Sequence, residues 1–127
     1  MPAINWTTEQ RRAIETVDRD VLVSAAAGSG KTAVLAERCA YLVADAPEPF
    51  RCDVDQLLVV TFTEAAAAEM RSRIHKSLKA KAANAPQDRR LQSQVDSSDN
   101  AQISTLHAFC MRSSCRWFHR AGATHCH

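Results

Sequence analysis

Gly28, Ser29, Gly30, Lys31 and Thr32 close an unbroken run of small and polar residues, SAAAGSGKT, from Ser24 to Thr32. Glycine lets a backbone turn its N–H groups inward around closely spaced anionic oxygens, and a following helix adds the positive end of its dipole. A lysine placed as Lys31 is then bridges the outer phosphates, and a hydroxyl placed as Thr32 is holds magnesium. Ala27, Gly28, Ser29, Gly30, Lys31 and Thr32 are therefore expected to bind a nucleoside triphosphate, ATP together with Mg2+, with Lys31 and Thr32 as the candidate catalytic pair. The usual G-x-x-x-x-G-K-[ST] spacing has a glycine where this chain has Ala25. Ala25 is small, and two glycines remain where the backbone must come closest. The alternative is a chance glycine-rich turn before a helix, and the apolar segment ahead of it and the amphipathic one behind it speak against that.

Other chemistry-bearing residues are more diffuse. The five cysteines (Cys39, Cys52, Cys110, Cys115, Cys126) form an odd, scattered set without a C-x-x-C pair. They read as reduced thiols, mostly small core fillers. Cys115, His119, His125, Cys126 and His127 are metal-ligand types, yet their spacing matches no familiar zinc pattern. Asp53 and Asp55 precede an apolar run, and Asp96 and Asp99 lie in a polar stretch.

The elements that must position the loop follow from periodicity. Trp6 to Val17 reads as a helix, with Thr7 and Gln10 spaced as a capping box. Asp20 to Ala25 and Gln56 to Phe62 are short apolar runs of the kind that form buried parallel strands, and Ala101 to Ser104 predicts a third. A helix is expected from the phosphate loop to about Val43, with Val34, Leu35, Cys39, Leu42 and Val43 on one face. Another runs from Glu64 to about Ala83, carrying Met70, Ile74 and Leu78 at four-residue intervals and broken by Pro86. A last one covers Thr105 to about His119, with Leu106, Phe109, Cys110 and Trp117 near one face and Gly122 placed to end it. Ala46 to Asp55 reads as a loop, and about 84–100 as a loop or the start of an insertion. Strands alternating with helices make a parallel α/β sheet, here three strands carrying a P-loop, incomplete, in one partial ATP-binding domain over 1–127.

Composition bounds the rest. With 127 residues, 46% of them hydrophobic, the chain builds one modest domain. A net charge of +2 excludes neither nucleic acid nor small ligands. No apolar run approaches the roughly 18 residues of a membrane span, and the N-terminus lacks a signal-peptide pattern, so a cytoplasmic protein with no membrane partner is expected.

Four segments together resemble the start of a superfamily 1 (UvrD/Rep-like) DNA helicase motor, in particular the AddA/RecB-type helicase–nuclease subunits. WTTEQRRAI (Trp6 to Ile14) is similar to the adenine-reading Q motif, and SAAAGSGKT to motif I. VVTFTEAAAAEMRSRI (Val59 to Ile74) is similar to motif Ia, and STLHAFC (Ser104 to Cys110) to motif Ib. The resemblance implies that the domain is a RecA-like P-loop NTPase domain. It implies that Gln10 contacts adenine; the blander reading is that it completes the capping box with Thr7, and one residue can do both. It implies that Phe62 stacks a base of single-stranded DNA, against the alternative of a core strand residue. Thr61 and Thr63 would reach phosphates or cap the next helix, and Thr105, His107 and Phe109 would belong to the same DNA track. Arg71, Arg73, Lys76, Lys79, Lys81, Arg89 and Arg90 are a candidate nucleic-acid stripe whose blander reading is a solvated helix face.

The resemblance also implies an Asp-Glu dipeptide after an apolar strand, a second motor domain and a nuclease cluster, and none has a counterpart in this sequence. The expectation is an ATP-binding N-terminal part of an ATP-dependent DNA helicase/nuclease subunit that works in double-strand break repair. Its partners would be single- or double-stranded DNA and a second helicase–nuclease subunit. The chain alone is expected not to turn over ATP at a motor's rate, and to be marginally stable because its apolar sheet edges are open. The competing reading is a stand-alone nucleotide or single-stranded DNA binder. A small-molecule kinase would share Gly28 to Thr32 but not TFTEAAAAEMR or TLHAFC.

Overall fold

A computed structural model describes residues 4–26, 28 and 30–120, with side chains as far as Ser114. Among the described residues, five helices and two strands follow one another: α1 (Thr8–Glu15), α2 (Lys31–Ala44), β1 (Leu58–Thr61), α3 (Glu64–Asn84), α4 (Arg89–Asp96), β2 (Gln102–Thr105) and α5 (Leu106–Arg120). Single 3-10 turns at Val54–Gln56 and Ser98–Asn100 lead towards the strands.

β1 and β2 pair in parallel, from Leu58 opposite Gln102 to Thr61 opposite Thr105. Side chains of a strand alternate between faces, and Val59 and Ile103 are buried in the core with α3. Leu58 and Val60 remain 50% and 40% exposed on the opposite face, so β1 is buried on one side only, not on both as its unbroken apolar run predicts. The core runs along α3, where Ala67, Met70, Ile74, Leu78 and Ala82 are buried, as the four-residue spacing of its large residues predicts. α2 meets it with Ala36, Cys39, Ala40 and Val43, while Val34 is buried outside this cluster and Leu35 turns outward.

Two expectations are corrected. Asp20 to Ala25 does not form a strand: it joins neither β1 nor β2, and Leu22 is 96% exposed. The sheet therefore has two strands where three are expected. An apolar run signals burial, but a strand exists only where neighbouring backbones pair with its N–H and C=O groups. Second, 84–100 is not a loop. Asp88 accepts from Leu91 N at 3.0 Å and starts α4, while Leu91 is buried one turn from the partly buried Val95. α4 is short and mostly polar, and side-chain bonds to backbone hold it. Arg90 donates to Val43 O and Cys52 O at 2.8 Å each, Gln92 to Ala82 O at 3.0 Å, and Gln94 Oε1 accepts from Val54 N at 2.8 Å.

The remaining boundaries differ by small margins. α1 is shorter than Trp6 to Val17, and α5 begins at Leu106 because Thr105 closes β2. Leu106 and Cys110 are exposed rather than on a buried face. Cys39 is the buried filler expected, Cys52 is half-buried and Cys110 exposed. Gly122, His125, Cys126 and His127, and the side chains of Cys115, Trp117 and His119, lie outside the described residues. Among those described, no group of His, Cys, Asp and Glu can hold a metal ion, and no helix is long and apolar enough to cross a membrane.

Candidate functional site

The phosphate-loop residues sit at the amino end of α2. Gly28 and Gly30 have φ of +82° and +84°, the left-handed region that side chains with a Cβ rarely adopt, so the chain can make this turn only with glycine there. Gly30 is the N-cap of α2 and offers no side-chain acceptor, and no acidic residue lies in the first turn. α1, α3 and α4, by contrast, are capped by the side chains of Thr7, Thr63 and Asp88. Among the described residues no side chain caps the first N–H groups of α2, which stand at the positive end of a 14-residue helix. Lys31 and Thr32 are exposed, and Lys31 Nζ donates to Ala25 O at 2.7 Å. Ala27 and Ser29 lie outside the described residues.

Gln10 reaches this loop. The capping box is formed: Thr7 Oγ1 accepts from Gln10 N at 3.2 Å, and Gln10 Oε1 accepts from Thr7 N at 2.9 Å. With its oxygen so fixed, the amide directs Nε2 to within 3.7 Å of the point where a Cβ on Gly30 would stand. Capping the helix and facing the loop are thus compatible roles for Gln10. A cavity of about 290 Å³ adjoins the loop, walled by Ala13, Val21, Val23, Lys31, Val34, Leu35 and Arg38.

The second group of expected residues gathers at the carboxyl ends of the parallel strands, where open α/β sheets present their ligand sites. Thr61 and Thr105 are register partners, and Thr61 Oγ1 donates to Thr63 O at 3.1 Å. Thr63 Oγ1 accepts from Ala66 N at 3.1 Å and Thr105 Oγ1 from Ala108 N at 3.2 Å, so both cap helices while keeping a hydroxyl proton to donate. Phe62, between Thr61 and Thr63 along the chain, is 91% exposed and is no core residue. His107 is exposed and Phe109 half-buried in α5.

Sequence reasoning missed the residues that hold these pieces together. Arg38 on α2 donates through Nη1 to Thr16 O at 2.6 Å, Ala13 O at 2.8 Å and Ile14 O at 3.4 Å, occupying carbonyls that α1 leaves open at its end. Its signal in the sequence was a cation two helical turns beyond Lys31, which a search for apolar periodicity passes over. The basic stripe is largely structural. Arg71 donates to Ile103 O at 2.6 Å, Arg73 pairs with Glu69 and Arg90 with Asp53. Lys81 bridges Glu37 at 2.9 Å and Asp45 at 2.7 Å. Burial opposes the charge of Lys81, but the hydrogen bonds of Asp45 and Glu37 outweigh it and raise its pKa. Lys76, Lys79 and Arg89 are exposed, as are Arg71 and Arg73, while Lys81 and Arg90 are half-buried.

A family model of the UvrD/REP helicase N-terminal domain matches residues 6–126. This chain belongs to that family. The match spans both groups of residues, from Trp6 ahead of α1 to beyond α5. The chain is 50% identical over 115 residues to an ATP-dependent helicase/nuclease subunit from Desulforamulus reducens, covering 91% of this chain and 9% of that protein. It is 45% identical over 119 residues to the protein of the same name from Clostridium novyi, covering 94% of this chain and 10% of the relative. For the namesake from Geobacillus thermodenitrificans the figures are 53% over 106 residues, 84% of this chain and 8% of the relative. The chain therefore spans about a tenth of the length of these curated relatives.

Proposed function

We propose that residues 1–127 are the nucleotide-binding opening part of a RecA-like motor domain in an ATP-dependent DNA helicase/nuclease subunit. The observation that carries this reading is the approach of the Gln10 amide to Gly30, beside an uncapped helix terminus and Lys31. Those groups differ in chemistry as the parts of ATP do. An amide both donates and accepts, as the adenine edge requires. An ammonium and the N–H groups of a helix terminus suit phosphate oxygens. The residues present fit a magnesium–triphosphate group: Gly28, Gly30 and Lys31 would hold the phosphates and Thr32 the metal, with Ala27 and Ser29 completing the loop. Bound there, the ion would screen the phosphate charge.

Phe62, with Thr61, Thr63, Thr105, His107 and Phe109, is proposed as a track for single-stranded DNA. An exposed aromatic face just ahead of the α3 N-terminus suits a base beside its phosphates. Double-strand break repair, a double-stranded substrate and a second helicase–nuclease subunit come to this proposal from the motif resemblance, and a cytoplasmic location from the sequence pattern alone.

Binding without turnover is the expected behaviour of these 127 residues. Among the described residues neither strand ends on a pair of carboxylates, the groups that would hold magnesium and activate water. That same observation favours the second reading, a nucleotide or single-stranded DNA binder without enzymatic activity. The test is to assay the purified chain for both magnesium-dependent ATP binding and phosphate release. Binding without release is expected. Magnesium-dependent release abolished by Lys31→Ala would overturn the inactive reading, and absence of binding would overturn the nucleotide site itself.

A further inference from the structure

We infer that Arg38 is a positioning residue for base selectivity, setting where Gln10 stands relative to the phosphate loop while touching neither base nor phosphate. The inference rests on the proposed ATP site and adds to it a residue outside every motif named above.

α1 is an eight-residue helix that buries a single side chain, Ile14. So short a helix has little stability of its own, and its place depends on what ties it down. Among the described residues, Arg38 is the only side chain of α2 that hydrogen-bonds α1. It does so at the helix end, where Ala13 O and Ile14 O lack intrahelical partners, and at Thr16 O just beyond. A guanidinium is suited to this, because it stays charged and favours the negative end of the helix dipole. Arg38 and Lys31 share the rigid frame of α2, two turns apart. Gln10 and the carbonyls of Ala13 and Ile14 share that of α1. Arg38 therefore couples the two frames, and the 3.7 Å approach of Gln10 Nε2 to Gly30 is the distance so fixed. Loss of the clamp frees α1 to shift while leaving Gly28, Gly30, Lys31 and Thr32 in place. Phosphate binding should then survive, and preference for the base should not.

The experiment measures the affinities of the 127-residue chain for magnesium–ATP and for magnesium–tripolyphosphate, which has no base. Wild type is expected to prefer ATP. Arg38→Met should cut ATP affinity about tenfold, the effect of one lost hydrogen-bonding contact, and leave tripolyphosphate affinity within about twofold. Gln10→Glu keeps an acceptor for Thr7 N, so the capping box stands, but removes the amide donor. It should lower ATP affinity similarly, and the double variant should be no weaker than the weaker single one. Circular dichroism checks the fold; if the methionine variant does not fold, Arg38→Lys, which retains a donor for the carbonyls, is read instead and should keep part of the preference. A wild type that binds neither ligand, or both equally, overturns the ATP reading and the inference with it. A wild-type preference that persists undiminished at position 38, or additive losses in the double variant, overturns the inference alone.

Discussion

Lys31 Nζ lies 2.7 Å from the carbonyl oxygen of Ala25, so the cation of the proposed phosphate loop rests on the loop's own backbone. The contact is exposed, and a single solvated bond of this kind contributes little to folding. Lys31→Ala should accordingly leave the unfolding free energy within about 0.5 kcal/mol of wild type. Denaturant titration measures this, and a loss of several kcal/mol would mean that Lys31 is a structural residue.

Phe62 separates folding from DNA binding in the same way. At 91% exposure its side chain contributes little to the core, and Phe62→Ala should not lower the melting temperature. Binding of a single-stranded oligonucleotide, followed by fluorescence anisotropy, should weaken about tenfold, within the range for one stacked base. Unchanged affinity would remove Phe62 from the proposed track.

Arg90 and Lys76 test how the basic residues divide. Arg90 joins Val43 O, Cys52 O and Asp53 at 2.7–2.8 Å, tying α4 to the end of α2 and the loop after it. Arg90→Ala should cost about 2–3 kcal/mol, since charged hydrogen bonds to partly buried carbonyls are lost. Lys76→Ala, on an exposed face, should cost less than about 0.5 kcal/mol. Equal effects would contradict the division.

The cysteines should differ in reactivity. Burial pushes the Cys39 thiol up to about 11 from its ordinary 9.0, while Cys110 is exposed. Residue-resolved alkylation of the native chain near neutral pH should label Cys110 well before Cys39. The sign for stability follows. Because folding raises the pKa of Cys39, its contribution is fully present below about pH 9 and is lost as pH rises through about 11. Titrating the melting temperature from pH 7 to 11 should show a decline that Cys39→Ala reduces; an unchanged decline would place its origin elsewhere.

What the sequence disclosed depended on local signals. The Thr7–Gln10 box, the α3 stripe of Met70, Ile74 and Leu78, and the turn at Gly28 and Gly30 each depend on neighbours close along the chain, and all are found in the structure. Strand pairing does not depend on neighbours alone, so Asp20 to Ala25 reads as a strand by composition and still finds no partner in the two-stranded sheet. α4 was hidden because its amphipathicity rests on Leu91 and Val95 amid polar residues, its hold on the core coming from Arg90, Gln92 and Gln94. Long-range clamps such as Arg38 on Thr16 O leave no periodic trace. The open face of Leu58 and Val60 was hidden as well, because an unbroken apolar run does not say which side of a strand is covered.

The most direct measurement is calorimetric titration of magnesium–ATP into the wild-type chain and into Lys31→Ala, each first shown to be folded. Saturable binding by wild type that weakens tenfold or more in the variant is the expected result, because the ammonium is the loop's one described side-chain cation. Equal affinity in the two proteins, or no binding by a folded wild type, would contradict a nucleotide site at Gly28–Thr32.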